Sequence, residues 1–176
     1  SIEHTLDDHH FNTRVPADFQ QYAKILSGII RHYNYGWANG FHMNIPIWEI
    51  WNEADLGGKC WMGTREEFVD FFCTVLKYLK TEFPNETIGG PALCGFHEDW
   101  LVPILERCKA ENIPLDFISW HAYWFEPAAL INESFRMREL LDRYGFTETG
   151  IHLNEWHYLE TWDGLSRNVN PETFHE

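Results

Sequence analysis

Two glutamates follow apolar stretches of the chain in the same local pattern. Residues 48–53 (WEIWNE) and residues 151–156 (IHLNEW) each carry a Glu directly after an Asn, where an apolar run ends. Two carboxyl groups about 5–5.5 Å apart are what a retaining glycoside hydrolase uses, one as general acid/base and the other as nucleophile. The joint pattern therefore predicts Glu53 as general acid/base and Glu155 as nucleophile, each at the end of a strand.

The neighbours of Glu53 indicate how it could work as an acid. Trp48 and Trp51 precede it, and we expect them to surround its carboxyl with apolar surface, which favours the protonated acid that a leaving group needs. Asn52 could hydrogen-bond a sugar hydroxyl, but neighbouring side chains in a strand point to opposite faces. One of Asn52 and Glu53 must therefore leave strand geometry. The alternative is a Glu53 that pairs with a surface lysine.

A third polar strand end lies between the two glutamates in the chain. Residues 116–123 (DFISWHAY) place His121 and Tyr123 after an apolar run. A tyrosine hydroxyl that donates to a carboxylate would aim it at the anomeric carbon, and His121 could bind a sugar hydroxyl or the acid/base. A single strand-end histidine is more often structural, so this assignment depends on its neighbours.

The elements that must position these residues alternate strictly between strand and helix. Apolar periodicity predicts helices near 17–35, 65–82, 97–111 and 127–144, and apolar runs predict strands at Ile45–Trp51, Thr87–Ala92, Leu115–Trp120 and Gly150–Asn154. Single helices between strands indicate right-handed βαβ units and a parallel sheet. Gly89 and Gly90 precede Pro91 and lack the rest of a dinucleotide-binding turn. Polar residues at several strand ends instead favour a (β/α)8 TIM barrel over an open doubly wound sheet.

The number of elements is too small for a complete barrel. A (β/α)8 barrel has eight strands in about 250 residues, whereas this chain of 176 residues shows four strand–helix cycles. We therefore expect an α/β fold in which the barrel is present only in part, about strands 4–7 with flanking helices. Residues 1–176 would then form one partial catalytic domain with an open, curved sheet. Its apolar strand Ile45–Trp51 is expected to be buried on both faces.

The charge of the chain disfavours several classes of partner. The net charge is −14, which disfavours nucleic acid and anionic membranes as partners.

The four cysteines have no metal-ligand or CxxC spacing, and we expect free thiols, which favours a reducing compartment such as the cytoplasm. The chain begins with Ser1, so a signal peptide could precede it.

Aromatic and histidine residues add further candidates. The nine tryptophans are typical of sugar clefts, and Trp124, Phe125, Trp156 and Trp162 could form sugar platforms, with core packing as the alternative for each. The segment 4–10, which contains three histidines and two aspartates, could bind a divalent metal, although a solvated loop is the simpler interpretation.

These motifs, taken together, resemble glycoside hydrolase clan A, and most closely family 39, which contains β-xylosidases and α-L-iduronidases. The resemblance rests on residues 48–56 (WEIWNEADL), 61–64 (WMGT), 89–92 (GGPA), 116–123 and 154–155. Ala54 stands where the family usually has proline, and residues 154–156 (NEW) resemble arabinofuranosidases of the same clan.

The resemblance implies an acid/base Glu53 on the fourth barrel strand and a nucleophile Glu155 on the seventh. It also implies that Asn52 binds the 2-hydroxyl, that His121 and Tyr123 shape the site around the nucleophile, and that no cofactor or metal is required. Substrate contacts are expected from Trp124, Asn154 and Trp156 as well. The partner would be an oligosaccharide or glycoside substrate, cleaved by double displacement.

Other functions remain open from the sequence alone. A barrel fragment could bind carbohydrate without catalysis, and an α-L-arabinofuranosidase-like relative would use the same pair of glutamates. A metal-dependent hydrolase built on the N-terminal histidines would require bound metal.

Overall fold

Four parallel β-strands form one open sheet whose spatial order follows the order of the chain. The computed structural model describes residues 13–124 and 126–158. The strands are β1 (Ile47–Glu49), β2 (Thr87–Leu93), β3 (Phe117–Trp124) and β4 (Gly150–Tyr158), and the helices are α1 (Phe19–Tyr35), α2 (Arg65–Glu82), α3 (Glu98–Glu111) and α4 (Pro127–Tyr144). A short 3-10 helix, Ala54–Lys59, follows β1. The predicted partial barrel, an open parallel sheet with flanking helices, is confirmed.

Helix α2 is the centre of the helix layer and packs against α1, α3 and β2. The Thr64 hydroxyl accepts a hydrogen bond from the Glu67 amide and the Glu67 carboxylate accepts one from the Thr64 amide, the reciprocal pair that starts a helix firmly. Its core-facing side chains are fully buried: Phe68, Phe71, Phe72, Val75, Leu76 and Leu79. Each such side chain contributes about 1.5–3 kcal/mol on burial. Within the described residues, no helix is both long and apolar enough to cross a membrane.

Strand β1 is shorter and more exposed than the sequence predicts. The apolar run Ile45–Trp51 is expected to be buried on both faces, but only Ile47–Glu49 is strand, and the side chains of both end residues are exposed. The physical reason is its position, because β1 is an edge strand that pairs only with β2 among the described residues. Strands β3 and β4 are longer than predicted and continue through the polar residues that the sequence places at strand ends.

The sheet separates its side chains between two faces. On β3, Ile118, Trp120 and Ala122 belong to the core beneath the helices. Side chains alternate along a strand, so Ser119 and His121 point to the opposite, concave face. The concave face therefore carries the polar side chains of the strands, which is where a (β/α)8 barrel builds its site.

A buried lysine joins the beginnings of β2 and β3. Lys80 Nζ donates to the carbonyl of Pro84 (3.1 Å), to the carbonyl of Glu86 (2.8 Å) and to Asp116 Oδ2 (2.7 Å). The same Asp116 oxygen accepts from the Ile88 amide at 2.8 Å. Only 5% of the Lys80 side chain is exposed, so the ammonium is a structural element of the fold and not a surface charge.

Replacing Lys80 should therefore be costly. We expect Lys80→Ala to lower the free energy of unfolding by about 2–4 kcal/mol, because two carbonyls and a half-buried carboxylate lose the ammonium that donates to them. Urea unfolding followed by circular dichroism measures this loss. The control is Lys77→Ala, whose lysine pairs with Glu111 at the surface and should cost less than about 1 kcal/mol. Equal losses from the two variants would contradict the structural role of Lys80.

Candidate active site

The chain leaves strand geometry just after β1 and thereby presents Glu53 to the concave face. Trp51 and Glu53 both adopt left-handed backbone conformations, with φ of 71° and 49°. The Glu53 amide then donates to the Ala92 carbonyl on the neighbouring β2 at 2.8 Å. The sequence required one departure from strand geometry near Asn52 and Glu53, and the structure contains two. They leave Glu53 buried, with 7% of the residue exposed.

A β-bulge in β4 presents Glu155 to the same face. Trp120 pairs with Leu153 and His121 pairs with Glu155, so Asn154 is an extra residue without a partner in the register. Regular alternation would send Asn154 and Glu155 to opposite faces, but a bulge places one additional residue in the strand and re-aims the side chains beyond it. Asn154 and Glu155 consequently both face the concave side.

Glu53, His121 and Glu155 meet at this point. His121 Nδ1 lies 2.7 Å from Glu53 Oε1 and 3.6 Å from Glu155 Oε2. One oxygen of each carboxylate and the histidine nitrogen all lie within 4.8 Å of one another. The Tyr123 hydroxyl donates to Glu155 Oε1. The four residues expected to carry the chemistry are thus brought together on one rim of the sheet.

The two carboxylates differ in access. The Glu53 side chain is 10% exposed, whereas the Glu155 side chain is 49% exposed on the concave face. A molecule on the concave face can therefore contact much of the Glu155 side chain but only a small part of the Glu53 side chain.

The two tryptophans expected around Glu53 lie elsewhere. Trp48 Nε1 donates to Glu86 Oε2 at 3.2 Å. Trp51 packs edge-on against Trp61 and Phe71 on the helix side. The expectation that they wall the carboxyl is therefore corrected. Trp48 precedes Glu49 on β1, so alternation turns its ring away from the concave face, and the Trp51 ring packs into the helix layer. Burial of Glu53 comes from the strand ends beside it, including His121.

The two asparagines have different surroundings. Asn52 is half-buried and precedes Glu53 in the chain. The Asn154 amide donates to both carboxylate oxygens of Glu49, at 3.0 Å each. One N–H of the Asn154 amide is therefore shared between the two Glu49 oxygens.

The predicted sugar platforms Trp124 and Trp156 lie on the helix side of their strands. Trp124 Nε1 donates to Glu133 Oε1 on α4 at 3.3 Å. Trp156 pairs in register with Ala122, which belongs to the helix-side core, and 63% of Trp156 is exposed. The structure does not bring them beside Glu53 and Glu155, because alternation along β3 and β4 turns them away. Phe125, Trp162 and the histidine-containing segment 4–10 lie outside the described residues.

Sequence reasoning missed Glu49 and Ser119. Ser119 Oγ donates to Glu49 Oε1 at 2.5 Å and accepts from the Ala92 amide at 2.9 Å. A signal for Glu49 was present, since it is the one charged residue inside the apolar run Ile45–Trp51. A charged side chain in such a run needs a partner, which would have pointed to a polar residue on another strand.

Among residues 13–124 and 126–158, two groups of side chains have the composition to hold a metal ion. One is the Glu53–His121–Glu155 cluster, and the other is Asp55 with Cys94 and His97 beside it. In the second group, His97 Nδ1 lies 2.6 Å from Asp55 Oδ2, which is a hydrogen-bond distance. Two ligand atoms of one zinc ion, each about 2.0–2.3 Å from the metal, lie farther apart than this. Hydrogen bonding explains this second group without a metal.

Burial and nearby negative charges at the edge of the site affect the pKa of the Cys94 thiol. Burial raises the pKa of the Cys94 thiol to about 12, and the negative charges of Asp55 and Glu53 act in the same direction. Asp55 also accepts from the Cys94 amide, at 2.9 and 3.1 Å. All four cysteines are free, as predicted, and Cys94 should be a protonated thiol at neutral pH.

The chain is similar in sequence to known glycosyl hydrolases. The family model described as "Glycosyl hydrolases family 39" matches residues 5–156. A β-xylosidase of Geobacillus stearothermophilus is 24% identical over 82% of this chain and 32% of its own length. A β-xylosidase of Caldicellulosiruptor saccharolyticus is 25% identical over 64% of this chain and 22% of its own length. The chain therefore spans a third or less of the curated relatives it matches.

Solved structures show the same fold. The crystal structure of a glucosidase from Croceicoccus marinus has a TM-score of 0.76 and 26% identity, over 85% of this chain and 33% of that one. A GH39 enzyme from Xanthomonas axonopodis pv. citri has a TM-score of 0.70 at 19% identity, over 85% of this chain and 32% of that one. The second likeness concerns the fold alone.

The raised pKa of Cys94 can be tested by alkylation. With a pKa of about 12, the thiolate fraction at pH 8 should make Cys94 react with iodoacetamide on the order of 10³-fold more slowly than free cysteine. Asp55→Asn should speed the reaction, because removing a negative charge lowers the thiol pKa. Peptide mass spectrometry measures the rate at Cys94. The control is Asp99→Asn, at an exposed carboxylate on α3, which should change nothing; unperturbed reactivity of Cys94 would contradict the raised pKa of this thiol.

Proposed function

The chain belongs to glycosyl hydrolase family 39, and we propose that the protein is a retaining glycosidase with Glu53 as general acid/base and Glu155 as nucleophile. The observation that carries the proposal is the meeting of the two carboxylates, whose nearest oxygens lie within 4.8 Å of each other. Retaining enzymes keep their carboxyl groups about 5–5.5 Å apart, whereas inverting enzymes need about 6.5–9.5 Å for an intervening water.

Access and hydrogen bonding support the assignment of roles. The nucleophile must reach the anomeric carbon, and the Glu155 side chain is the more exposed of the two. Tyr123 donates to one oxygen of Glu155, which orients the carboxylate and leaves the other oxygen for attack. Glu53 is the buried partner, and His121 Nδ1 holds its Oε1 at 2.7 Å. Its remaining oxygen can exchange a proton with the departing oxygen.

The reaction then proceeds in two displacements. Glu155 attacks the anomeric carbon while Glu53 gives its proton to the glycosidic oxygen, which leaves with the aglycone. The resulting glycosyl ester of Glu155 is opened by a water whose proton Glu53 takes, and the sugar departs with its original configuration. Asn52 lies next to Glu53 and offers an amide to a hydroxyl of the cleaved sugar.

The substrate class that we propose is a β-xyloside. This comes from the two β-xylosidases among the relatives. A glucoside is the second candidate, because the structure with 26% identity is that of a glucosidase. The residues that would separate a pentose from a hexose come in part from the remainder of the barrel, so both sugars belong in the assay.

The acid role of Glu53 can be tested by leaving-group dependence in the complete protein. Glu53→Ala should reduce kcat/KM about 10²–10⁴-fold for an alkyl xyloside, whose leaving group needs a proton. The loss should be much smaller for a 2,4-dinitrophenyl xyloside, whose leaving group departs as an anion.

The matched control is Glu133→Ala, which removes a carboxylate that serves Trp120 and Trp124 on the helix side and should not change leaving-group dependence. Added azide should raise turnover of the dinitrophenyl substrate by Glu53→Ala, because azide attacks the glycosyl-enzyme without a general base. Equal losses on both substrates, without azide rescue, would remove Glu53 from the acid/base role.

A further inference from the structure

Glu49 lies at the centre of a hydrogen-bond network that crosses the concave face. Its Oε1 accepts from Ser119 Oγ on β3 at 2.5 Å, and both of its oxygens accept from Asn154 Nδ2 on β4 at 3.0 Å. In the strand order β1-β2-β3-β4, strands β1 and β4 are not neighbours. The carboxylate thus connects strands that no backbone hydrogen bond joins.

The network continues to Glu53 through Ala92. The Ala92 amide donates to Ser119 Oγ at 2.9 Å, and the Ala92 carbonyl accepts from the Glu53 amide at 2.8 Å. Ala92 has a left-handed backbone, φ 52°, so its conformation requires support from its surroundings. Through Ser119, Glu49 supports the backbone to which Glu53 is attached.

At its other end the network reaches the bulge that turns Glu155 inward. Asn154 is the extra residue of this bulge, and its side chain is attached to Glu49 through two contacts. If Asn154 returned to regular pairing, alternation would move Glu155 to the helix side. The bond between Glu49 and Asn154 therefore opposes the register shift that would remove the nucleophile from the site.

We infer that Glu49 is a positioning residue that sets the separation of the two catalytic carboxylates, an inference that rests on the proposed function. Glu49 acts on Glu155 through Asn154 and on Glu53 through Ser119 and Ala92. The carboxylate is suited to this because it accepts from two donors on different strands at once. A shift of about 1 Å between reacting groups is enough to cost on the order of 10²-fold in rate.

The test is a double-mutant cycle in the complete protein with an aryl xyloside as substrate. We expect Glu49→Ala to lower kcat about 30–100-fold with KM changed less than about threefold, because misplacement affects the reacting groups more than sugar binding. Asn154→Ala should lower kcat by a smaller factor, because Glu49 keeps its hydrogen bond with Ser119 in that variant. The double variant should be no slower than Glu49→Ala, because removing the Glu49 carboxylate already breaks the contact with Asn154.

Two further variants separate positioning from folding. Glu49→Gln keeps the length of the side chain and one acceptor oxygen, so it should recover part of kcat relative to Glu49→Ala. Should Glu49→Ala fail to fold, the cycle is run with Glu49→Gln instead. Glu66→Gln is the control for loss of a carboxylate, because its side chain on α2 is 73% exposed; it should leave kcat and the melting temperature unchanged.

The outcomes distinguish this inference from the proposed function. The role of Glu49 alone would be overturned if the wild-type protein hydrolyses its substrate with retention while Glu49→Ala and Glu49→Gln leave kcat unchanged. Losses of kcat that multiply in the double variant would overturn it as well. A wild-type protein that hydrolyses neither xylosides nor glucosides would overturn both.

Discussion

Two carboxyl groups lie close together on the concave face, and the surrounding structure has to hold them there. Ionised carboxylates at a few ångström repel each other and would separate if their backbones allowed it. Here the Glu53 and Glu155 oxygens lie within 4.8 Å, with a nitrogen of His121 equally close. The closeness is imposed by backbone: Glu53 is attached to β2 through Ala92, and Glu155 is attached to β3 through the paired strand. The helix layer, built around α2, keeps those strands in place.

Much of this arrangement was predictable from the chain itself. Strict alternation of apolar runs and amphipathic helices predicts parallel strands, and parallel strands bring their carboxyl ends to one edge. Glu53, His121 and Tyr123 are thereby expected at the same rim, and they lie there in the structure. The capping residues of α2, Thr64 and Glu67, were also recognisable because their spacing is a local property.

Features that depend on contacts between distant residues were not predictable. The bulge at Asn154 has no local signature, because it arises from pairing with β3 and from a partner on β1. The apolar character of Trp48 and Trp51 suggested walls for Glu53, but Trp48 alternates with Glu49 on β1 and Trp51 packs against Trp61 and Phe71 on the helix side. Trp124 and Trp156 lie away from the carboxylates, and their positions were not predictable because an aromatic residue type does not indicate to which face of a strand the side chain points. The curated relatives extend well beyond this chain.

Catalysis of the proposed kind requires that Glu155 form a bond to the sugar while Glu53 serves as acid and base. The most direct measurement is mass spectrometry of the complete protein after incubation with 2-deoxy-2-fluoro-β-xylosyl fluoride, whose glycosyl-enzyme is slow to hydrolyse. We expect a single adduct with the mass of one fluoro-sugar, located by peptide sequencing on Glu155 and absent from Glu155→Gln. An adduct on any other residue, or turnover with inversion and no adduct, would contradict these roles.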